Sequence, residues 1–419
     1  MPLDGALPRD VVLLSTADWD HPFWTNKQHV ATQLAERGFR VLYVESLGLR
    51  RPTVAARDVS RMARRVRRAL APPRHVAENL WVASPLALPM HAHRIVRRLN
   101  NRWLASWLSR QCRQLGFERP IFWTYNPLFG ALAAEVDASV LVYHCVDDLA
   151  AAPLLPSGAI EEAEAELAAA ADVVFVTSTA LERRLRRANP QAIHYLPNVA
   201  DYDHFSRARM PGPIPDELAA IPAPRIGFVG ALSPYKVDFG LIGGVAQARP
   251  DWHWVLIGQL GEGQGDADVR PPRLPNVHVL GPRRYDQLPD YLRGFDVATI
   301  PCVANLYTEA MFPMKFFEYL SAGLPVVAAN VPALAPFEHV FDLGDSPQAF
   351  AATVDRVLRG GRADVDKCLR LASRYTWRWR TDEMLVLIEQ IWRKRCHQPF
   401  SNDGRPRTTA WSVPTAKAG

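Results

Sequence analysis

The length, composition and charge of this chain exclude several classes of protein. Its 419 residues exceed what one hydrophobic core usually serves, because a domain generally takes about 100 to 200 residues, so two or three domains are expected. Hydrophobic residues make up 48% and charged residues 22%, as in ordinary globular proteins, and no apolar run reaches the roughly 18 residues of a membrane span. The net charge of +6 is confined to residues 49–110, because the rest of the chain is net acidic.

The N-terminal stretch predicts a β-α-β unit. It opens with MPLDGALPRD, which lacks the basic and then apolar order of a signal peptide, so we expect a cytoplasmic protein. Residues 11–15 (VVLLS) predict a strand, residues 28–37 a helix, and residues 40–45 (RVLYVE) a second, parallel strand. Functional loops of parallel sheets lie beyond the carboxyl ends of the strands. The loop after the first strand holds candidate ligand-contacting residues, unless its tryptophans only cover the sheet: Asp20, His21, Trp24 and Lys27.

Residues 49–110 interrupt this alternation with fourteen arginines and only two acidic residues. Within residues 60–70 (SRMARRVRRAL), apolar side chains fall on one helical face and four arginines on the other: Arg61, Arg64, Arg65 and Arg68. A basic amphipathic helix is typical of membrane surfaces, and these arginines are candidate membrane contacts. Nucleic acid is the other partner that such charge can bind, but no known nucleic-acid-binding motif accompanies it. A solvated helix without a partner is the third interpretation.

The α/β alternation then resumes and ends the first predicted domain, residues 1–205. A strand over residues 139–146 leads into Asp147 and Asp148, where a carboxylate can act as a general base or simply cap a helix. A strand over residues 172–178 follows, and a capping box from Thr179 to Glu182 predicts the next helix. The proline-rich residues 206–224 are predicted to form a linker.

The second predicted domain covers residues 225–372. Its first strand ends at Gly230, a loop with Lys236 follows, and Asp238 can cap the next helix. Residues 373–396 predict one amphipathic helix, and residues 397–419 are expected to be disordered.

Residues 309–330 (EAMFPMKFFEYLSAGLPVVAAN) carry the strongest pattern. Pro313 can begin a helix of about three turns that ends near Gly323, and a short strand follows. Lys315 and Glu318 lie three residues apart on one face at the start of this helix. The backbone amides and Lys315 suit a diphosphate and Glu318 suits paired ribose hydroxyls, which together indicate a nucleotide sugar. A capped helix with a surface ion pair is the alternative.

Six motifs give the chain a resemblance over about residues 10–395 to the glycosyltransferases of the GT-B fold. They are DWDHPFWTNKQHVATQLAERGFRVLYVE, YHCVDDL, LPNVADYDHF, IGFVGALSPYKVD, LPDYLRGFDVATIP and FPMKFFEYLSAGLPVVA. More narrowly, the chain resembles bacterial teichuronic-acid-type and other surface-polysaccharide glycosyltransferases, and more distantly the glucuronosyltransferase of xanthan synthesis. The resemblance implies an α/β protein with two Rossmann-like parallel-sheet domains that face each other across a cleft, and a C-terminal helix that crosses back to the first domain.

The resemblance also implies roles for the candidate residues. The donor site would lie in the second domain and use Gly230, Lys236, Lys315 and Glu318, with Thr308 and Glu309 as further candidates. The first domain would bind the acceptor, with Asp148 or its neighbour Asp147 as the base. Many retaining relatives carry two glutamates seven residues apart, but Ala310 holds the first position here and Glu309 is one residue out of register. This departure leaves both stereochemical outcomes open: an inverting reaction would need a carboxylate to deprotonate the acceptor hydroxyl, and a retaining one would rely on the leaving diphosphate.

The implied function is transfer of a sugar from a nucleotide diphosphate, expected to be UDP, to a lipid-linked or glycan acceptor in cell-surface polysaccharide biosynthesis. The protein would then contact the inner face of the plasma membrane, bind no nucleic acid and need neither metal nor cofactor. The five cysteines show no CxxC pair, which favours free thiols. A nucleotide-sugar 2-epimerase of the same fold and a non-catalytic scaffold at the membrane surface remain alternatives.

Overall fold

The computed structural model of the chain describes residues 6–47, 68–69, 71–88, 94–153, 155–262 and 269–397. These residues form two β-sheets, one of eight and one of six strands, with helices packed against both. The predicted α/β class with two parallel-sheet domains is therefore confirmed. Arg61, Arg64 and Arg65 of the basic segment lie outside the described residues.

The first sheet is built from residues 10–195. Its strands in chain order are β1 (Asp10–Leu14), β2 (Arg40–Val44), β3 (Arg74–Ala77), β4 (Leu80–Ala83), β5 (Ile121–Thr124), β6 (Val140–Cys145), β7 (Val173–Val176) and β8 (Ile193–Tyr195). Their order across the sheet is β3-β4-β2-β1-β5-β6-β7-β8, and every pair is parallel except β3 with β4. The antiparallel pair falls in the basic segment, where the charged sequence of β3 carried no strand pattern.

The helices of the first domain cover both faces of this sheet. They are α1 (Asn26–Glu36), α2 (Arg94–Leu115), α3 (Leu132–Glu135), α4 (Ser157–Ala170) and α5 (Thr179–Leu185). Because helices cover both sides, strands such as β1 and β6 are buried along their whole length. Helix α5 differs from its prediction, because Ser178 and not Thr179 caps it, accepting a hydrogen bond from the Leu181 N–H at 3.2 Å.

The second sheet has the strand order β11-β10-β9-β12-β13-β14 and is parallel throughout. Its strands are β9 (Arg225–Val229), β10 (His253–Ile257), β11 (Val277–Gly281), β12 (Val297–Ile300), β13 (Val326–Ala328) and β14 (Asp342–Leu343). The sequence order reverses between β9 and β12, and in open α/β sheets ligands bind at such a switch point.

The remaining helices belong to the second domain, except for the last one, which crosses back to the first domain. They are α6 (Tyr202–Ser206), α7 (Asp216–Ala219), α8 (Phe239–Ala248), α9 (Leu288–Leu292), α10 (Leu306–Ala310), α11 (Lys315–Ser321), α12 (Pro347–Leu358), α13 (Val365–Ala372) and α14 (Trp377–His397). Asp238 caps α8 as predicted, since its Oδ1 accepts the Leu241 N–H at 2.8 Å.

The segment predicted to be a linker is partly folded into the second domain. Phe205 of α6 and Leu218 of α7 are fully buried and pack in the same hydrophobic core as residues of α9, α11 and α13. The predicted boundary at residue 205 therefore falls inside a helix of that core. The domain bounds themselves stay predictions.

Helix α14 crosses back from the second domain to the first, as the resemblance implied. One of its faces carries Trp377, Met384, Ile388 and Trp392, which are buried in a core that includes Val30 and other residues of α1. None of the helices within the described ranges is long and apolar enough to span a membrane.

Candidate active site

Lys315 and Glu318 occupy the first turn of α11. The sequence predicted this helix, but with a greater length. The structure gives the helix seven residues, from Lys315 to Ser321, and a turn at Pro313 precedes it. The Lys315 ammonium pairs with Oε2 of Glu318, whose side chain is almost fully buried. Burial raises the pKa of Glu318, and the charge of Lys315 opposes that rise. The two side chains therefore form one buried charge pair rather than two free groups.

Residues distant in sequence surround this pair. Lys315 Nζ lies 5.8 Å from the ring centroid of Phe205, and His204 stacks on Tyr285 with their centroids 4.2 Å apart. Burial raises the pKa of Tyr285, and the Glu318 carboxylate raises it further. His204 and Tyr285 were not predicted, because nothing in the local pattern around either residue indicates a ligand.

Lys236 follows β9 in the loop predicted to face a diphosphate. Its ammonium lies 2.8 Å from Oε2 of Glu262 and 5.1 Å from the ring centroid of Tyr307. Burial disfavours the charged form of Lys236, but the surrounding tyrosines and Glu262 outweigh burial, so its pKa is raised. The side chain is therefore a fixed cation within an acidic and aromatic setting.

Gly230 ends β9 where two strands approach closely. A Cβ atom on Gly258, at the end of β10, would collide with the carbonyl oxygen of Gly230. A Cβ atom on Gly230 itself would lie 2.8 Å from the ring of Phe228. Backbone packing thus requires a glycine at 258, whereas at 230 a side chain would displace the ring of Phe228, so packing gives a reason for Gly230 without a ligand.

Asp147 and Asp148 follow β6 and point to different partners. Asp148 Oδ2 lies 2.5 Å from Nη1 of Arg184, and its Oδ1 accepts the N–H groups of Ala150 and Ala151. Asp147 Oδ1 accepts a hydrogen bond of 3.1 Å from the hydroxyl of Tyr307, which belongs to α10 of the second domain. Asp148 is therefore engaged within its own domain, whereas Asp147 faces the cleft.

The four candidates in the loop after β1 do not form one cluster. The Asp20 carboxylate lies 2.9 Å from the guanidinium group of Arg74 and 3.3 Å from that of Arg68. Arg68, which was predicted to contact a membrane, therefore pairs with an acidic residue of this loop. The ring of His21 accepts the N–H of Phe23 through Nδ1, at 3.2 Å, and so closes a local turn.

Trp24 and Lys27 lie at the domain interface. The Trp24 ring stacks on Tyr285 of the second domain, with the centroids 5.7 Å apart and an interplanar angle of 18°. Lys27 is buried at the start of α1 beside Tyr125, and its ammonium has no ion pair with any carboxylate of the described residues. Burial lowers the pKa of Lys27, Asp147 opposes this, and Lys236 lowers it further. Asp147 therefore acts on Lys27 from within the first domain, and Lys236 acts on it from across the cleft.

Thr308 and Glu309 occupy α10 and differ in exposure. The Thr308 hydroxyl accepts the N–H of Asn305 at 3.1 Å within a capping box, so it stabilises the helix start. Glu309 is exposed in the first turn of the same helix. The glutamate is thus one residue out of register and also lies on the solvent side.

The structure brings together a smaller set than the sequence proposed. Lys27 and Asp147 from the first domain meet Lys236 and Tyr307 from the second, and the Lys315–Glu318 pair lies nearby, behind Tyr285 and His204. Among the residues for which positions are described, no group of three or more His, Cys, Asp or Glu residues could hold a metal ion. The arrangement is a cleft with Lys27 and the carboxylate of Asp147 on the first-domain side and two lysines, each paired with a glutamate, on the second-domain side.

Comparison with known proteins identifies relatives of the second domain and of the whole fold. Residues 223–360 match the family described as Glycosyl transferases group 1. Over 279 residues the chain is 29% identical to TuaH of Bacillus subtilis strain 168, a proposed teichuronic acid biosynthesis glycosyltransferase. That match covers 62% of this chain and 69% of TuaH.

Solved structures are similar over nearly the whole chain. Sucrose-phosphate synthase of Thermosynechococcus elongatus superposes with a TM-score of 0.67 at 16% identity, covering 92% of this chain and 99% of that one. HepE of Anabaena, in complex with UDP and glucose, superposes with a TM-score of 0.65 at 16% identity, covering 91% and 100% of the two chains. At these identities the likeness concerns the fold alone, and it confirms the predicted GT-B fold.

Proposed function

We propose that this protein transfers a sugar from a UDP-sugar to a hydroxyl of a lipid-linked glycan intermediate. Its residues 223–360 match the group 1 glycosyltransferases, and its fold is GT-B. The donor class is supported by HepE, whose structure holds UDP and glucose. The name of TuaH refers to teichuronic acid biosynthesis, which supports a role of this protein in the assembly of a polysaccharide. The acceptor would be presented at the inner face of the plasma membrane.

One observation carries this proposal: a carboxylate of the first domain and a cation of the second lie at the same point of the cleft. The Tyr307 hydroxyl donates a hydrogen bond to Asp147, while the Tyr307 ring lies 5.1 Å from Nζ of Lys236. A transferase needs a base on the acceptor side and a cation on the leaving group. A single tyrosine contacts the candidates for both roles.

The donor side would use Lys236, Lys315 and Glu318. Without a ligand each lysine is held by a glutamate, Lys236 by Glu262 and Lys315 by Glu318. The donor diphosphate would offer both ammonium groups a second, stronger anionic partner. Glu318 would keep Lys315 in place and accept a ribose hydroxyl, for which a buried carboxylate is suited.

In the transfer step, Asp147 takes the proton of the acceptor hydroxyl, and the oxygen attacks the anomeric carbon of the donor. The bond between that carbon and the diphosphate oxygen breaks, and UDP leaves with the electron pair. Lys236 and Lys315 stabilise the charge that develops on the diphosphate, an electrostatic contribution that is often the largest in enzymes. Attack from the face opposite the leaving group inverts the anomeric configuration, which agrees with Ala310 at the position of a glutamate in retaining relatives.

Calorimetry with UDP, GDP and TDP tests the donor site directly. We expect UDP to bind and to raise the melting temperature by an amount set by its concentration over Kd. Lys315→Ala should abolish this binding while the circular dichroism spectrum stays native. Lys367→Ala is the matched control, because Lys367 lies in α13, away from the cleft, and should bind UDP like the native chain.

Product analysis then separates the three functions. A glycosyltransferase releases UDP only when an acceptor is supplied and attaches the labelled sugar to it. A 2-epimerase would release the sugar or its epimer without an acceptor, and a scaffold would release nothing. Native UDP affinity in Lys315→Ala would contradict the diphosphate site, and absence of nucleotide binding in the native chain would contradict the proposal as a whole.

A further inference from the structure

Helix α2 has an unusual composition for a helix on the surface of a sheet. Its 22 residues include six arginines and no acidic residue. One face is accounted for, because Leu104, Trp107, Leu108 and Cys112 are buried in the core beneath the first sheet. The opposite face, turned away from the core, has no such partner among the described residues.

The outer face begins with a line of exposed apolar side chains. Ile95, Leu99 and Trp103 are 73%, 51% and 57% exposed, and their spacing of four residues aligns them along the helix. Leu88, the last described residue before the helix, is 55% exposed. Single exposed apolar residues are common, but several together on one surface usually mark an interaction site.

Exposed arginines flank this line. Arg98 and Arg102 lie beside the apolar residues, and Arg110 and Arg113 continue the same side of the helix towards its C-terminus. None of these four guanidinium groups pairs with a carboxylate in the part of the chain that the structure describes, whereas Arg97, on the inner side, lies 3.3 Å from Glu162. The outer face therefore carries uncompensated positive charge next to apolar surface.

We propose that the outer face of α2, defined by Ile95, Leu99, Trp103, Arg98 and Arg102, docks on a bilayer that contains anionic lipids. Apolar side chains can enter the boundary between headgroups and acyl chains, where tryptophan is favoured, and arginines can bind lipid phosphates. Nucleic acid fits less well, because three exposed apolar side chains have no counterpart on a phosphate backbone.

The position of α2 in the sheet gives this surface a use. Strand β4 runs parallel to β1 and β6, so the chain leaves β4 at the edge of the sheet where Lys27 and Asp147 also lie. Asn100 ties the start of α2 to that edge, because its Oδ1 accepts the Leu88 N–H at 2.8 Å. The apolar line is therefore at the cleft end of α2. If the acceptor is lipid-linked, as in the proposed function on which this step rests, docking brings it to the cleft.

Sedimentation of the full chain with vesicles tests the docking face. The native chain should bind phosphatidylglycerol-containing vesicles, bind pure phosphatidylcholine less, and lose affinity at high salt. The exchange of Ile95, Leu99 and Trp103 for serine should weaken binding roughly 10- to 100-fold, because three membrane-inserted side chains are lost. The matched control exchanges Met210, Trp379 and Val386 for serine, three residues of similar exposure elsewhere, and should bind as the native chain does.

Two further measurements keep this proposal separate from the proposed function. UDP binding and transfer to a water-soluble acceptor analogue should be unchanged in the serine variant, so a failure of transfer in the native chain would count against the enzyme and not the docking face. Brominated lipids should quench part of the native fluorescence, and Trp103→Phe should remove that part. Native-like vesicle binding by the serine variant, or binding of the native chain to a DNA duplex but not to vesicles, would overturn the docking face.

Discussion

Asp147 and Asp148 are neighbours in the chain but differ in what holds them. Asp148 is fixed by Arg184 and by two backbone N–H groups of its own loop, whereas Asp147 contacts the other domain through Tyr307. A general base must reach the proton that it removes, and only Asp147 has its carboxylate at the cleft. The sequence could place both residues at the end of β6 but could not distinguish between them.

We therefore expect the two asparagine variants to fail in different ways. Asp147→Asn should lower the transfer rate roughly 100- to 10,000-fold, the usual range for a general base, with UDP affinity unchanged. Asp148→Asn should keep most of the activity but lose about 1 to 2 kcal/mol of unfolding free energy, because the Arg184 charge loses a partner. Kinetics and urea titrations on both variants measure this. The reverse pattern would move the base to Asp148.

At the scale of elements, the sequence predicted what depends on local pattern. The apolar runs of β1, β6 and β13 were predicted correctly, because buried parallel strands have short-range signals. The helix between Pro313 and Gly323 was also predicted, but it begins at Lys315 and is shorter than expected. Strand β3 was not predicted, because RHVA pairs as an exposed edge strand and carries no apolar pattern. The folded segment around α7 was predicted to be a linker, because its prolines are typical of linkers. Two of its side chains, Leu218 and Ile221, are nevertheless buried.

The resemblance implied that α14 crosses back to the first domain, but its contacts with α1 were not predicted, and one of them has a consequence for the pH dependence of stability. His29 of α1 is buried and stacks on Trp377 of α14, with the centroids 5.1 Å apart at an angle of 7°. Burial lowers the pKa of His29 to about 3, and the positive charges of His204 and Lys315 act in the same direction. The unfolded chain thus takes up a proton here near pH 6.5, which the folded chain does not take up until about pH 3.

Stability should therefore fall as the pH drops below 6.5, and His29 should account for part of the loss. At pH 5 its share is about 2 kcal/mol relative to pH 7.5, since each pH unit below the unfolded pKa costs about 1.4 kcal/mol. His29→Phe keeps a ring against Trp377 but has no proton to bind, so its loss over this range should be smaller by that amount. Urea denaturation at both pH values measures the difference, and equal losses in the two proteins would exclude His29 as a source.

At the scale of the molecule, the two domains meet through a few specific contacts. The Ser178 hydroxyl donates to the carbonyl of Ala310 at 2.7 Å, and Asn198 Nδ2 donates to that of Phe312 at 2.9 Å. With the Trp24–Tyr285 stack, these contacts join the loops after the strands of one sheet to the loops of the other. Each contact joins residues more than 100 positions apart, which is why no sequence pattern predicts it.

The Trp24–Tyr285 stack should hold the cleft closed, and its loss should open the molecule. An aromatic pair of this kind contributes about 0.5 to 1.5 kcal/mol, enough to change the equilibrium between closed and open domain arrangements by up to roughly tenfold.

Trp24→Ala should then raise the radius of gyration in X-ray scattering without UDP-sugar and weaken apparent donor binding by up to that factor. The variant should recover the compact form when the donor is saturating. Trp103→Ala removes a tryptophan of the first domain that is 57% exposed on α2, and should change neither quantity. Adding Tyr285→Ala to Trp24→Ala should have little further effect on closure if the stack is the contact that matters, because its partner is already gone. An unchanged radius and donor affinity in Trp24→Ala would mean that the backbone contacts of Ser178 and Asn198 hold the domains together without the stack.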